Sequence, residues 1–266
     1  MKSNKSILSL LFLLLSFTDI SAQESVQIQD PGKYFSRKEK RIFERAIHYE
    51  ATFYNRIFPD KKIDFSDIKF TVVPSHIEYV LYLQKLGAIA HKNSPGIYFP
   101  STHELVICSD KKYKESFVKI SCHELSHAFL HLHSGDKNIP AWLNEGLAVY
   151  LEEMTFGRKK IKQRINSRNI ARVKTLIELQ DLNLSEFVTW SYPKFSAESF
   201  TQEGYGYAVG YCLTLFLMQH DEDKAITIFR NLIGEQTAVA VFNDYYPGGF
   251  AQLEKDFIEY FGKYQK

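Results

Sequence analysis

The sequence predicts an α+β fold, in which a small N-terminal β-containing part precedes a mainly helical part. Strand-like runs are concentrated within residues 23–110, whereas helical periodicity dominates residues 111–266. The chain has 266 residues, of which 45% are hydrophobic, and this is enough to bury a substantial core. No internal repeat and no Pro/Gly/Ser-rich linker divides the sequence, so we expect residues 23–266 to form one unit.

Hydrophobic periodicity, together with residues that cap or end helices, predicts the individual helices and strands. Ser36 and Glu39 have capping-box spacing, and Gly87 is placed to end the second helix. The β-containing part is predicted to hold a helix, a strand, a capped helix and a pair of short strands, at 36–57, 68–73, 75–86 and 97–108. In the second part, helices are predicted at 114–133, 140–155, 159–179, 203–219, 222–233 and 250–262.

The N-terminus has the pattern of a secretory signal peptide over residues 1–22. Lys2 and Lys5 precede an apolar run at 7–17, and small residues end at Ala22. The apolar run is shorter than the ~20 residues that span a bilayer. We therefore expect export to a periplasmic or extracellular location, with no stable membrane span after signal removal.

The charge balance argues against nucleic acid as a partner. There are 33 basic and 31 acidic residues, and the formal net charge is +2. The segment 158–174 contains eight basic and no acidic residues. It either binds an acidic surface or forms a solvated helix, and the second interpretation is favoured.

Cysteine usage indicates neither a disulfide framework nor a sulfur-ligated zinc site. The chain contains Cys108, Cys122 and Cys212, an odd number without CxxC spacing. Each stands among apolar residues, so we expect buried free thiols, with one bridged pair as the alternative.

The motif His-Glu-Leu-Ser-His at 123–127 lies in the helix predicted over 114–133. On a helix, His123 and His127 are about 40° apart and ~6 Å apart along the axis, so both imidazoles can reach one metal ion. Glu124 projects beside them and is a suitable base for a water held by that ion. The two histidines alone make half of a tetrahedral site.

A third ligand is offered by Glu145, in the next predicted helix. A connection through 135–140 allows the two helices to pack antiparallel. A carboxylate oxygen suits zinc at ~2.0–2.2 Å and leaves a fourth position open for water. The metal-free alternative is that both helices are ordinary packed helices with Glu145 in solvent.

These residues resemble the gluzincin metallopeptidases, which include thermolysin and aminopeptidase N, and are most similar to the small peptidase-MA-like domains. The resemblance rests on HELSH at 123–127, NEG at 144–146 and the aromatic-rich stretch 205–217. It covers roughly residues 97–217. It implies a gluzincin-like metallopeptidase domain that uses one Zn²⁺ ion to hydrolyse peptide or protein substrates.

The resemblance also implies roles for single residues. His123, His127 and Glu145 would hold the zinc, and Glu124 would be the general base. In aminopeptidase-like members, a tyrosine in a Tyr-x-x-Gly context donates to the tetrahedral intermediate. Tyr207 has that context here and is the oxyanion candidate. Tyr205 and Tyr211 are substitutes, and core packing is the alternative for all three.

Two features depart from the family pattern. Aminopeptidases carry a Gly-x-Met-Glu-Asn sequence whose glutamate holds the substrate amine, whereas 96–100 here contains no carboxylate. This favours endopeptidase action over aminopeptidase action. Thermolysin-like members place an aspartate four residues after the glutamate ligand to orient a histidine, but position 149 is Val. Glu152 or Glu153 is expected to take that role.

A rival assignment uses His133 as the third ligand, because His123, His127 and His133 reproduce metzincin spacing. Metzincins have Gly at the position of Leu130, and that Gly lets the chain turn back toward the metal. With Leu130 the helix is expected to continue, which would leave His133 ~15 Å from His123 along the axis. His131 and His133 are instead expected at the surface or at the helix end beside Gly135.

Three functions are consistent with the sequence. The favoured one is a zinc-dependent peptidase in which Glu124 moves the proton. The others are a metal-dependent hydrolase of another exported amide, such as a cell-wall peptide, and a zinc-pocket binding module without catalytic turnover.

Overall fold

The computed structural model describes residues 27–29, 34–61, 65–157, 160–201 and 204–264. The signal-peptide prediction for residues 1–22 lies outside these residues. The long helices, in chain order, are α1 (Arg37–Ile57), α2 (His76–Lys85), α3 (Phe117–Ser134), α4 (Ala141–Glu152), α5 (Ser167–Glu178), α7 (Tyr192–Thr201), α8 (Tyr205–His220), α9 (Glu222–Leu232), α10 (Ala238–Tyr245) and α11 (Gly249–Gly262), with the short α6 (Leu184–Phe187) between α5 and α7. The predicted α+β class is confirmed.

Two sheets are present in the described part of the chain. The larger contains β1 (Gln27–Gln29), β2 (Lys69–Val73), β3 (Gly96–Phe99) and β4 (Glu104–Cys108) in the order β1-β2-β4-β3. β1, β2 and β4 are parallel, whereas β3 pairs antiparallel with β4 and forms one edge. The smaller sheet is an antiparallel pair, β5 (Met154–Phe156) and β6 (Ile161–Gln163).

Local sequence explains where several helices begin. In α1, the Ser36 side chain accepts from the Glu39 backbone, and the Glu39 side chain accepts from the Ser36 backbone, so the predicted capping box is confirmed. Ser75 caps α2 by accepting from the backbone N–H of Glu78. Gly135 follows α3 at φ 61°, a conformation that favours glycine.

The helices predicted over 140–155 and 159–179 are too long. The segment between Met154 and Gln163 contains the β5–β6 pair instead, and α5 begins at Ser167. The Arg164 backbone N–H donates to the Glu153 carbonyl at 2.9 Å, so the residue after β6 is hydrogen-bonded to the residue before β5. Periodicity over so few residues does not separate a strand from a helix, because cross-strand pairing decides it.

The larger sheet is covered on both faces. α2 packs on one face, where Tyr79 and Leu83 contact the Val106 side. On the other face, α1 and α3 join Phe70 and Leu105 in the main core, which continues through α4 and α8. α3 therefore lies between the sheet and the remaining helices. Within the residues described, each helix is too short or too polar to cross a membrane.

All three cysteines lie in the described part and are buried free thiols, which confirms the favoured interpretation of Cys108, Cys122 and Cys212.

Candidate metal centre

α3 presents His123 and His127 side by side on one face. Their ring centroids are 4.8 Å apart and their planes are nearly perpendicular, at 83°. Both residues are half-buried. One helical turn separates them, so the i, i+4 spacing produces this pair without help from another element.

α4 brings Glu145 against this pair. Its Oε2 lies 3.5 Å from Nε2 of His123 and 3.7 Å from Nε2 of His127. Ligand atoms of the three residues all lie within 4.8 Å of one another. In a tetrahedral zinc site with bonds of about 2.0–2.1 Å, neighbouring ligand atoms are about 3.3 Å apart. The distances from the carboxylate oxygen to the two nitrogens are therefore close to those between neighbouring ligand atoms of a zinc ion.

A close crossing of α4 and α8 supports the position of Glu145. A Cβ atom added to Gly146 would lie 2.5 Å from the Gly210 carbonyl oxygen and 2.7 Å from Oγ1 of Thr214. At Gly210, an added Cβ would lie 2.9 Å from the Trp142 carbonyl oxygen. Both glycines are thus required by backbone contact between the helices. The residue before Gly146 is Glu145, so the crossing sets how deeply that carboxylate reaches toward α3.

The Nδ1 atoms of both histidines contact acceptors on α4. Nδ1 of His123 lies 2.9 Å from Oε2 of Glu152, and Nδ1 of His127 lies 3.0 Å from Oδ1 of Asn144. Nδ1–H can donate in both cases, which leaves each Nε2 free to bind a metal. Of the two glutamates considered from the sequence, Glu152 contacts the histidine. It follows Glu145 by seven residues, so both carboxylates lie on the same helix face.

Glu153 is engaged elsewhere. Its carboxylate accepts from Nζ of Lys119 at 2.5 Å, Nε of Arg164 at 2.8 Å and Nδ2 of Asn166 at 3.0 Å. These contacts join α3, α4 and the residues that follow β6. Glu153 therefore has a structural role next to the site.

Protons and metal compete for the same atoms. Burial disfavours the charged form of His123, but hydrogen bonds with Glu145 and Glu152 outweigh burial and hold the histidine pKa well above its ordinary value. Burial likewise opposes the Glu145 carboxylate, but the charges of His127 and His123 prevail and lower its pKa. Without metal, His123 and Glu145 thus form an ion pair, so metal affinity should fall as pH falls.

Glu124 lies between α3 and the edge strand β3. It is buried, and burial raises the pKa of its carboxyl above the ordinary value, although the charges of His127 and His123 and a backbone hydrogen bond from Tyr98 oppose the rise. β3 passes closely here, because a Cβ atom on Gly96 would lie 3.0 Å from Cγ of Glu124. A carboxyl with a raised pKa holds a proton more readily than an ordinary glutamate does, which suits a group that accepts and returns protons.

The three candidate tyrosines on α8 have different surroundings. Burial raises the pKa of Tyr207, and the carboxylates of Glu145 and then Glu124 raise it further, so its phenol lies near both. Tyr211 is buried, and its hydroxyl accepts from the backbone N–H of Asn166 at 3.0 Å. Tyr205 is also buried, with its ring against Phe187 and Trp190. Tyr207 alone among these three is exposed, at 40%.

His133 faces away from Glu145. α3 continues without a break through Leu130, and Nδ1 of His133 lies 2.7 Å from the Phe129 carbonyl oxygen. The expected position at the helix end beside Gly135 is confirmed. The expected surface location is wrong for His133, which is 2% exposed because α1 covers this side of α3.

Two residues at the site were not singled out from the sequence. Asn144 contacts His127. The sequence feature that could have identified it is its position directly before Glu145. Tyr192, at the start of α7, accepts a hydrogen bond from the Asn144 side chain. It stands 48 residues from Asn144 in sequence, and no spacing rule connects them.

In the comparison with protein families, residues 119–237 match a family described as "Protein of unknown function (DUF1570)". The matched range includes His123, Glu124, His127, Glu145 and Tyr207. Comparison with curated proteins gives no match.

Proposed function

We propose that this chain is a zinc-dependent peptidase that resembles the gluzincins and holds its metal with His123, His127 and Glu145. The observation that carries the proposal is the convergence of two Nε2 atoms on one carboxylate oxygen, at 3.5 and 3.7 Å. The Nδ1 partners Glu152 and Asn144 support it, because an acceptor at Nδ1 favours the neutral tautomer that offers an unprotonated Nε2 to a metal.

The donor set suits zinc, which accepts two imidazoles and a carboxylate in catalytic sites of the peptidase type. When bound, zinc supplies a Lewis acid that polarises the scissile carbonyl and lowers the pKa of a coordinated water toward ~7. Glu124 accepts the proton of the attacking water and returns it to the leaving amine. Its burial supports this role, since a raised pKa matches a group that takes up and releases one proton.

Tyr207 is the proposed hydrogen-bond donor to the oxyanion. Its side chain is exposed, and after burial the carboxylates of Glu145 and Glu124 are the groups that raise the pKa of its phenol. The edge strand β3 offers backbone groups to an extended peptide beside Glu124. β3 carries no carboxylate to hold a free amine, so internal peptide bonds are the proposed substrates. Residues 1–22 support an exported protein that meets its substrates outside the cytoplasm.

The test compares wild type with Glu124→Gln in a digestion of mixed peptides. Gln keeps the volume of the side chain but cannot accept and return a proton. We expect cleavage to fall by about 10²–10⁴-fold, while zinc content by elemental analysis stays at one ion per chain. The positions of cleavage report whether internal or terminal bonds are broken.

Glu145→Gln is the matched control for the ligand role, and we expect it to lose zinc as well as activity. Wild type that binds zinc but cleaves nothing would instead support the binding module. Peptide cleavage that persists in Glu124→Gln, or zinc lost from that variant, contradicts the division of roles between Glu124 and Glu145.

A further inference from the structure

Tyr192 links α7 to the metal centre through a single side chain. It is the first residue of α7, and the residue is 42% exposed at the rim of the site. Its hydroxyl oxygen accepts a hydrogen bond from Nδ2 of Asn144. Burial raises the pKa of Tyr192, and the carboxylate of Glu145 raises it further, so the phenol also lies near the proposed ligand.

The second end of the Asn144 amide contacts a histidine. Oδ1 of Asn144 lies 3.0 Å from Nδ1 of His127. Tyr192, Asn144 and His127 therefore form a continuous chain of hydrogen bonds that ends at Nε2, one of the proposed ligand atoms.

The orientation of this amide has a chemical consequence. A neutral imidazole that binds metal through Nε2 carries its proton on Nδ1 and needs an acceptor there. Asn144 supplies that acceptor only when its oxygen faces His127. If the amide turned by 180°, its NH₂ group would face the Nδ1–H group, and two donors would oppose each other.

His123 provides an internal contrast. Its Nδ1 partner is the carboxylate of Glu152, and either carboxylate oxygen can accept. A carboxylate can therefore meet Nδ1 with either oxygen, whereas the amide has one acceptor oxygen and must be held with that oxygen against His127. Tyr192 holds the amide from its other end, because the phenol oxygen accepts from Nδ2.

We propose that Tyr192 is a positioning residue, which holds the Asn144 amide in place against Nδ1 of His127 and so helps to present Nε2 of that histidine to the metal. This rests on the metal centre of the proposed function, but not on peptide hydrolysis. It ties the start of α7 to the metal affinity of the site, and it assigns Tyr192 a role different from that of Tyr207 on the same rim.

The test measures zinc affinity by competition with a chelator in the full chain, without reference to activity. Tyr192→Phe removes the hydroxyl and leaves the ring. One neutral hydrogen bond is worth about 0.5–1.5 kcal/mol, so we expect zinc affinity to fall by about three- to tenfold. Tyr207→Phe is the matched control on the same rim, and we expect its zinc affinity to stay within about twofold of wild type.

A second pair of variants separates the link through the amide from general packing. Asn144→Ala removes the amide that joins Tyr192 to His127. In that background, Tyr192→Phe should change zinc affinity by less than about twofold. Far-UV circular dichroism and thermal melts establish that each variant is folded.

Three results would overturn the proposal. One is an unchanged zinc affinity in Tyr192→Phe. Another is an equal loss on adding Tyr192→Phe to Asn144→Ala, since Tyr192 would then act by another route. The third is a wild-type chain that binds no zinc. A chain that gives the expected zinc series but cleaves no peptide would overturn the peptidase and leave the role of Tyr192 standing.

Discussion

α3 carries four histidines, and its two pairs have different surroundings although they share one helix. His123 and His127 meet acceptors at Nδ1 and direct Nε2 toward Glu145. His131 and His133, nearer the helix end, contact other groups. The difference teaches that helical spacing decides which histidines are neighbours, while the facing element decides what they can bind.

The second pair is held by α1 and β3. Nδ1 of His131 lies 3.1 Å from the Tyr98 hydroxyl. His133 stacks between the rings of Tyr54 and Phe58, with centroids 6.0 and 5.2 Å away. Burial lowers the pKa of His133 to about 4, so this imidazole is neutral at physiological pH. Both side chains serve packing.

Because the two pairs differ in this way, matched variants with one histidine replaced from each pair should lose different properties. The loss of zinc affinity in the first variant is the largest effect that we expect. His127→Asn removes one of three proposed ligands, so zinc affinity should fall by roughly 10³-fold, which is a third of the binding free energy that zinc sites reach. His133→Asn should leave zinc affinity unchanged and lower the melting temperature instead. Chelator competition and thermal melts measure the two quantities.

Equal losses of zinc affinity in the two variants would mean that the two pairs do not differ in metal binding. Such a result would also support the rival assignment from metzincin-like spacing, in which His133 is a ligand.

The next prediction concerns the helix crossing that brings α4 to the first pair. Gly146→Ala places a Cβ against the Gly210 carbonyl oxygen and Thr214, so α4 must move. We expect a loss of about 1–3 kcal/mol in the free energy of unfolding, together with weaker zinc binding because Glu145 moves. Denaturant melts and chelator competition measure both. Gly262→Ala is the control, since a Cβ there meets nothing within 4 Å.

A Gly146→Ala chain with wild-type stability and zinc affinity would mean that the crossing does not set the position of Glu145.

The smallest expected effect is a change in stability at Glu50, a residue that α1 places behind α3. Glu50 is fully buried, and neither carboxylate oxygen has a hydrogen-bond partner among the described residues. Burial raises its pKa well above the ordinary value, although the charge of His123 opposes the rise. The folded state thus favours the neutral acid. The stability contribution of Glu50 is highest below the unfolded-state pKa and falls as pH rises above it.

Glu50→Gln keeps the shape of the side chain but removes the group that titrates. We expect it to raise the free energy of unfolding at pH 7 by about 1–2 kcal/mol, with a gain that shrinks toward pH 4. Thermal melts from pH 4 to pH 8 measure this gain. Glu153→Gln is the matched control, because that buried carboxylate has Lys119 and Arg164 as partners and should lose stability. A destabilised Glu50→Gln chain would mean that the charged form is stabilised in the fold.

Sequence patterns predicted the long elements better than the short ones. The capping box at Ser36 and the strands on either side of 100–103 were predicted from local signals, and both are present. The β5–β6 pair was missed because each strand has only three residues and is stabilised by pairing with the other. The backbone hydrogen bond from Arg164 to Glu153, which joins the two ends of the pair, is likewise not visible in a local pattern. α7 and α10 were also missed, and α7 carries Tyr192.

The sequence by itself determined the pair His123 and His127, because i, i+4 spacing on a continuous helix follows from backbone geometry alone. Tertiary structure decided which groups meet that pair. The approach of Glu145 and the contact of Tyr192 with Asn144 both depend on how closely helices cross. That closeness is set by side-chain volume at the crossing, and periodicity along one helix carries no information about the volume on its neighbour.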